Sequence, residues 1–168
     1  EFTLAVRYPG WCHQMQVKVN GIPVSGAVKT DKGYWMIQRS WQPGDTVSCE
    51  MEMEPERVYA HPMVRADAGC VALRRGPIIY TFEGVDNGED LQTLRIPREA
   101  KIEALPYQAD LLEGIVALRV TGCRKKMAVN PALYAEDAAP EEMVTLRAIP
   151  YYAWCNRGMT HMRVWMQE

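Results

Sequence analysis

Four glutamates, Glu50, Glu52, Glu54 and Glu56, recur at every second residue. On a strand they would lie along one face, neighbours about 6.5–7 Å apart. Carboxylates paired at that kind of distance do the acid and base work of glycoside hydrolysis. A catalytic acid, however, needs burial to raise its pKa, and like charges on an exposed strand blunt edge-to-edge pairing. The stripe is therefore expected to be a solvated face. His13, His61 and His161 are scattered and fit no metal-binding spacing. The five cysteines, Cys12, Cys49, Cys70, Cys123 and Cys155, contain no C-x-x-C pair, which excludes a zinc ribbon. Their odd count and wide spacing argue against a disulfide framework. Buried, reduced thiols of a cytoplasmic protein are the expectation. No nucleophile elbow, phosphate loop or dinucleotide fingerprint occurs. Arg74-Arg75-Gly76-Pro77 reads as a turn with solvated arginines, anion binding being the alternative.

Aromatic residues form two groups. Tyr151, Tyr152, Trp154 and Trp165 lie near Asn156-Arg157-Gly158, and Trp11, Trp35 and Trp41 form the other. Large rings fill cores and interfaces. Several coplanar exposed rings would instead make a sugar-stacking platform, the signature of a carbohydrate-binding module. Tyr151, Tyr152, Trp154, Arg157 and Trp165 are the candidate interface residues, Arg157 because its planar fork pairs with carboxylates and carbonyls.

The elements that must position these groups are strands. The 168 residues are 48% hydrophobic and 24% charged with a net charge of −2, a composition that folds and lacks the basic excess of nucleic-acid binding. The longest apolar runs are far below the about 20 residues of a membrane span. Twelve glycines and eleven prolines disfavour long helices. Period-2 alternation marks Phe2–Tyr8, Thr46–Met53 and Ile115–Val120. Further strands are expected at 34–39, 70–73, 77–82, 91–96, 102–105, 144–149 and 161–165. Asn20-Gly21 predicts a type I′ hairpin, and Gln42-Pro43-Gly44-Asp45 a type II turn. Pro23 belongs at an edge. Gly84–Asp90 reads as a loop and Gly122–Pro140 as the longest loop, with a helical turn at Ala132–Ala135. Many short strands imply an all-β chain of one or two antiparallel β-sandwich domains. A strand starting at residue 2 without a lead-in is expected of a cut inside a longer polypeptide, which would leave the first sandwich with an unpaired edge.

Arg7-Tyr8-Pro9-Gly10-Trp11-Cys12 resembles a segment of glycoside hydrolase family 127. Val17-x-Val19-Asn20-Gly21, Gly33-Tyr34, Trp41-x-Pro43-Gly44-Asp45 and Val58-Tyr59-Ala60-His61-Pro62 continue the likeness in order. Gly69 to Pro77, Glu83-Gly84-Val85-Asp86-Asn87, Ile149 to Gly158 and Met162-Arg163-Val164-Trp165 complete it. The resemblance implies the C-terminal β-sandwich region of a bacterial, retaining β-L-arabinofuranosidase. It also implies an (α/α)6 catalytic barrel elsewhere in that polypeptide, carrying a catalytic glutamate and a zinc-bound cysteine cluster. None of those motifs is matched here, so no catalytic, cofactor or metal residue is assigned in this chain. The implied partners are the barrel of the same polypeptide and a second copy, and neither nucleic acid nor membrane. The implied domain arrangement is a first sandwich of residues 1–60 plus 147–168, with a second, 61–146, inserted into it.

Overall fold

The computed structural model of the protein describes residues 1–25, 28–30, 32–126 and 133–168. The chain divides into two compact units, Glu1–Met53 and Glu54–Glu168. This differs from the inserted arrangement. Residues 147–150 are the end of one unbroken strand, Glu141–Pro150, bonded on both sides by strands of the second unit. The closing segment also stays there, since Met166 and Gln167 pair with Val71 and Cys70. A return to the first unit at residue 147 would break this ladder in its middle.

The first unit contains β1 (Phe2–Arg7), β2 (Met15–Val19), β3 (Ile22–Pro23), β4 (Val28–Lys29), β5 (Tyr34–Arg39) and β6 (Val47–Met51). They form two three-stranded sheets, β1-β5-β4 and β3-β2-β6. Asn20 and Gly21 both take positive φ, 51° and 78°, as the type I′ turn requires. Val19 faces Ile22 across the resulting hairpin. Strand β3 is bonded only to β2, so the missing N–H of Pro23 breaks no inner ladder. The Gln42–Asp45 turn closes with the Asp45 N–H donating to Gln42 O at 3.1 Å, and Gly44 sits at φ 93°. Asn20 ties the two turns, donating to Asp45 Oδ1 at 2.7 Å and accepting from the Thr46 N–H at 2.9 Å. Bonds from the Gln42 N–H and then Asn20 hold the Asp45 carboxyl below its ordinary range. The core is Tyr8, Cys12, Met15, Val17 and Ile37, with Trp11, Trp35 and Trp41 packed against it. That answers the role of this tryptophan group: its rings line a core.

The second unit begins with β7 (Pro55–Val58), β8 (Cys70–Arg75) and β9 (Ile78–Glu83). A single helical turn, α1 (Gly84–Asn87), stands where a loop was expected. Strands β10 (Leu94–Arg95), β11 (Ile102–Ala104), β12 (Leu118–Lys125), β13 (Glu141–Pro150), β14 (Met162–Arg163) and β15 (Met166–Gln167) follow. Of the strand expected at 91–96, the first three residues are a 3-10 turn. The long loop starts later than expected, because Gly122–Lys125 belong to β12 and pair with Glu141–Val144. Ala132 lies outside the described residues, and Leu133–Ala135 are not helical. Hydrogen bonding runs β9-β13-β12-β10-β15-β8, and the β8–β9 pairing closes the ring. The strands of this ring pair antiparallel, apart from Arg95 with Gln167. Tyr80, Phe82, Leu73, Leu118, Leu146 and Met166 fill the ring and are at most 1% exposed. Each such side chain contributes about 1.5–3 kcal/mol on burial. The all-β expectation holds throughout.

Candidate functional site

The chemistry-bearing feature of the second unit is an acid pair, Glu83 buried and Asp86 partly exposed, on α1 and the strand before it. Glu83 ends β9 and is 1% exposed. Asp86 lies one helical turn on. Both accept from the Arg157 guanidinium, which reaches back across 74 positions of sequence. Arg157 bonds Glu83 Oε2 at 2.5 Å and Asp86 Oδ1 at 3.0 Å; its second contact to Asp86 involves Oδ2. Bonding to Asp86 is the largest influence that raises the Arg157 pKa, so the guanidinium stays charged. The other Glu83 oxygen accepts the Cys155 N–H at 2.7 Å. Cys155 sits at φ 65°, an uncommon conformation for a residue with a β-carbon, and this bond holds it there. Asn87 extends the cluster, donating to Glu83 O and Arg147 O at 2.9 Å each and accepting from the Arg147 N–H at 2.8 Å.

The two carboxylates share one guanidinium, which donates to three of their oxygens. The ion pair ties the 154–158 loop to β9 and α1. Sequence reasoning read Glu83 and Asp86 only as part of the segment Glu83–Asn87. A clearer signal was available: an acidic residue closing an apolar strand demands a counter-charge.

The structure brings the five interface candidates into one segment with different roles. Tyr151 and Tyr152 form a 3-10 turn after β13 and are 44% and 65% exposed. Trp154, Arg157 and Trp165 are only partly exposed. Arg157 is engaged internally by the acid pair, which leaves the two tyrosines as the exposed members.

The glutamate stripe is divided between the units. Glu50 pairs with Lys18 at 2.6 Å in the first, and Glu56 with Arg74 at 2.7 Å in the second. Glu52 and Glu54 are exposed. Such a stripe is the solvated face expected. The five cysteines are free; Cys12 and Cys123 are buried, Cys70 is partly exposed, and Cys155 and Cys49 are exposed, which corrects the expectation of burial for Cys70, Cys155 and Cys49. Its alternation on β6 marks a strand at the surface of a small unit, where neither face is fully covered. Among the described residues no three His, Cys, Asp or Glu side chains converge as metal ligands. The His61 Nδ1 accepts the Met63 N–H at 3.2 Å, a local bond.

The chain is thus a two-unit, all-β region. Two family models divide the chain where its structure does. Residues 1–53 match the middle domain of β-L-arabinofuranosidase, GH127, and residues 55–167 the C-terminal domain of glycoside hydrolase family 127. The chain belongs to glycoside hydrolase family 127. A non-reducing end β-L-arabinofuranosidase of Bifidobacterium longum subsp. longum is 35% identical over 97% of this chain and 25% of its own length. The crystal structure of a GH127 β-L-arabinofuranosidase from Geobacillus stearothermophilus T6 is 47% identical with a TM-score of 0.91, covering 99% of this chain and 26% of that one. A further GH127 β-arabinofuranosidase structure is 32% identical with a TM-score of 0.82, covering 99% and 27%. The chain thus spans about a quarter of the length of these relatives.

Proposed function

We propose that this chain is the non-catalytic C-terminal region of a β-L-arabinofuranosidase-type glycoside hydrolase, and that it packs against the catalytic part of the same polypeptide. One observation carries the reading: the buried Glu83 and its neighbour Asp86 are both bound by Arg157. The chemistry of the longer relatives must then reside in the three quarters of their length that this chain does not cover. In that polypeptide the catalytic glutamate and zinc cluster would lie outside these residues. Free thiols, two of them exposed, suit a reducing, cytoplasmic setting. Association with a second copy is part of the same proposal.

The test compares the 168-residue chain with the full-length polypeptide on an aryl β-L-arabinofuranoside. The full-length protein should hydrolyse it and the chain should not exceed buffer. Turnover by the chain that is lost in Glu83→Gln or Glu50→Gln would overturn the reading.

A further inference from the structure

Strand β6 leaves one row of the first unit's core unfinished. Val47, Cys49 and Met51 lie on one face of it, opposite Val19, Val17 and Met15 of β2. The three β2 residues are buried, and Val47 and Met51 pack against the same core. Cys49 stands between those two and is exposed, although a free thiol behaves as a small apolar side chain and its cross-strand neighbour Val17 is covered. The apolar face of this sheet therefore runs on past β6 into solvent. Glu50 points the other way and pairs with Lys18, so the opposite face is finished by an ion pair.

The backbone of β6 is open on the same side. The Asn20 N–H donates to Thr46 O at 2.9 Å and the Glu52 N–H to Gln14 O at 3.0 Å, so the even-numbered residues of 46–52 are the ones bonded to β2. In an antiparallel ladder the residues between them turn their N–H and C=O groups away from that partner. Val47, Cys49 and Met51 thus hold their donors and acceptors along an outer edge, and among the described residues no strand takes them. The other edges of this unit carry the usual guards of short length, proline or charge. Strands β3 and β4 are two residues long, and β3 contains Pro23. On β1 the Phe2 ring stacks on Trp41, the Trp41 Nε1–H donates to Phe2 O at 3.0 Å, and Arg7 lies over the Tyr34 ring at 5.2 Å. Strand β6 has five residues, no proline and no charge on its apolar face.

We infer that the outer edge of β6, Val47–Met51, receives a strand from the part of the same polypeptide that precedes the middle domain, and that alternate apolar residues of this strand cover Cys49. Main-chain bonds to the edge hold such a strand and the pockets between alternate side chains select it. The inference rests on the reading under Proposed function, that the chain is one region of a longer hydrolase. The occupant follows from length and order. The relatives are about four times as long as this chain. Residues 1–53 match a domain that is the middle one, and residues 55–167 match the C-terminal domain, so the unmatched part precedes both. A strand tethered to β1 also reaches the edge of β6 at a higher effective concentration than a separate molecule does.

Residue-resolved hydrogen exchange and thiol alkylation of the full-length polypeptide, with the 168-residue chain as comparison, test this. In the full-length protein the Val47, Cys49 and Met51 amides should exchange as slowly as those of Ser48 and Glu50. In the chain they should exchange several-fold faster than those two. Alkylation of Cys49 by N-ethylmaleimide should be several-fold slower in the full-length protein than in the chain. Cys49→Lys should lower the thermal midpoint of the full-length protein by several degrees and open the three amides, while the chain's midpoint stays nearly unchanged. Cys49→Val should keep the amides closed. Equal exchange of the three amides in both forms would overturn the inference. So would slowed alkylation without slowed exchange, which means a cover that is not a strand, and so would closure at Thr3, Ala5 and Arg7 in place of β6. Protection in the chain alone that rises with its concentration would assign the edge to a second copy. Closed amides in a full-length protein without arabinofuranosidase activity would sink the functional reading and leave the added strand standing. Activity with the edge of β6 open would do the reverse.

Discussion

In the second unit twelve side chains, nearly all closed to solvent, make one continuous core inside a ring of strands. In the first unit five buried residues do that work, helped by half-covered tryptophans. Its rings are held from outside as well: Phe2 stacks on Trp41 at 5.6 Å and Tyr8 on Trp35 at 5.8 Å, and Arg39 lies over the Trp41 ring at 5.1 Å. The larger unit has enough interior to bury Glu83 and compensate it with Arg157. The smaller one keeps its ion pair, Lys18 with Glu50, at the surface. Surface area falls relative to volume as a domain grows, and only a deep interior gives a charge pair energetic weight. Unsatisfied charge therefore matters in the second unit and is nearly neutral in the first.

The sharpest way to break this contrast is Arg157→Met. It leaves Glu83 and Asp86 facing one another without a cation, and removing one partner of a buried pair costs about 3–5 kcal/mol. Urea unfolding of the second unit should show that loss, with partial rescue by Arg157→Lys. A loss below about 1 kcal/mol would mean that the pair behaves as a surface contact. The first unit should be most sensitive to its turns. Gly21→Ala places a β-carbon at φ 78° and should cost about 1–2 kcal/mol, read as a lower urea midpoint for that unit alone.

A pH series separates the units further. Glu168 accepts the Tyr59 hydroxyl at 2.6 Å and Arg98 at 2.7 Å. Tyr59 first, then the arginines, hold its carboxyl below the ordinary range against the opposing effect of burial. A carboxyl depressed on folding adds stability above its unfolded pKa and loses it as pH falls through the folded value. Glu168→Gln should thus weaken the second unit at neutral pH, and the difference from wild type should shrink toward zero below the ordinary glutamate range. A constant difference across the series would show that only packing was lost. The smallest effect is expected from Glu50→Gln, below about 0.5 kcal/mol for an exposed pair.

The sequence by itself determined the strands and the turns. Period-2 alternation in Phe2–Tyr8 and the left-handed tolerance of Asn20-Gly21 are local properties that hold whatever the rest of the chain does. The family likeness was equally legible, because it lives in short ordered segments such as Ile149 to Gly158. Only the tertiary structure decided where one unit ends, since the boundary at Met53 depends on which strands Glu141–Pro150 bonds. It alone closed the ring through β8 and β9. It alone joined Glu83 to Arg157 across 74 positions and, among the described residues, gave a carboxylate to Arg74 and none to its neighbour Arg75. Adjacent arginines on a strand point to opposite faces, and which face holds an acid is settled by pairings far away in the chain.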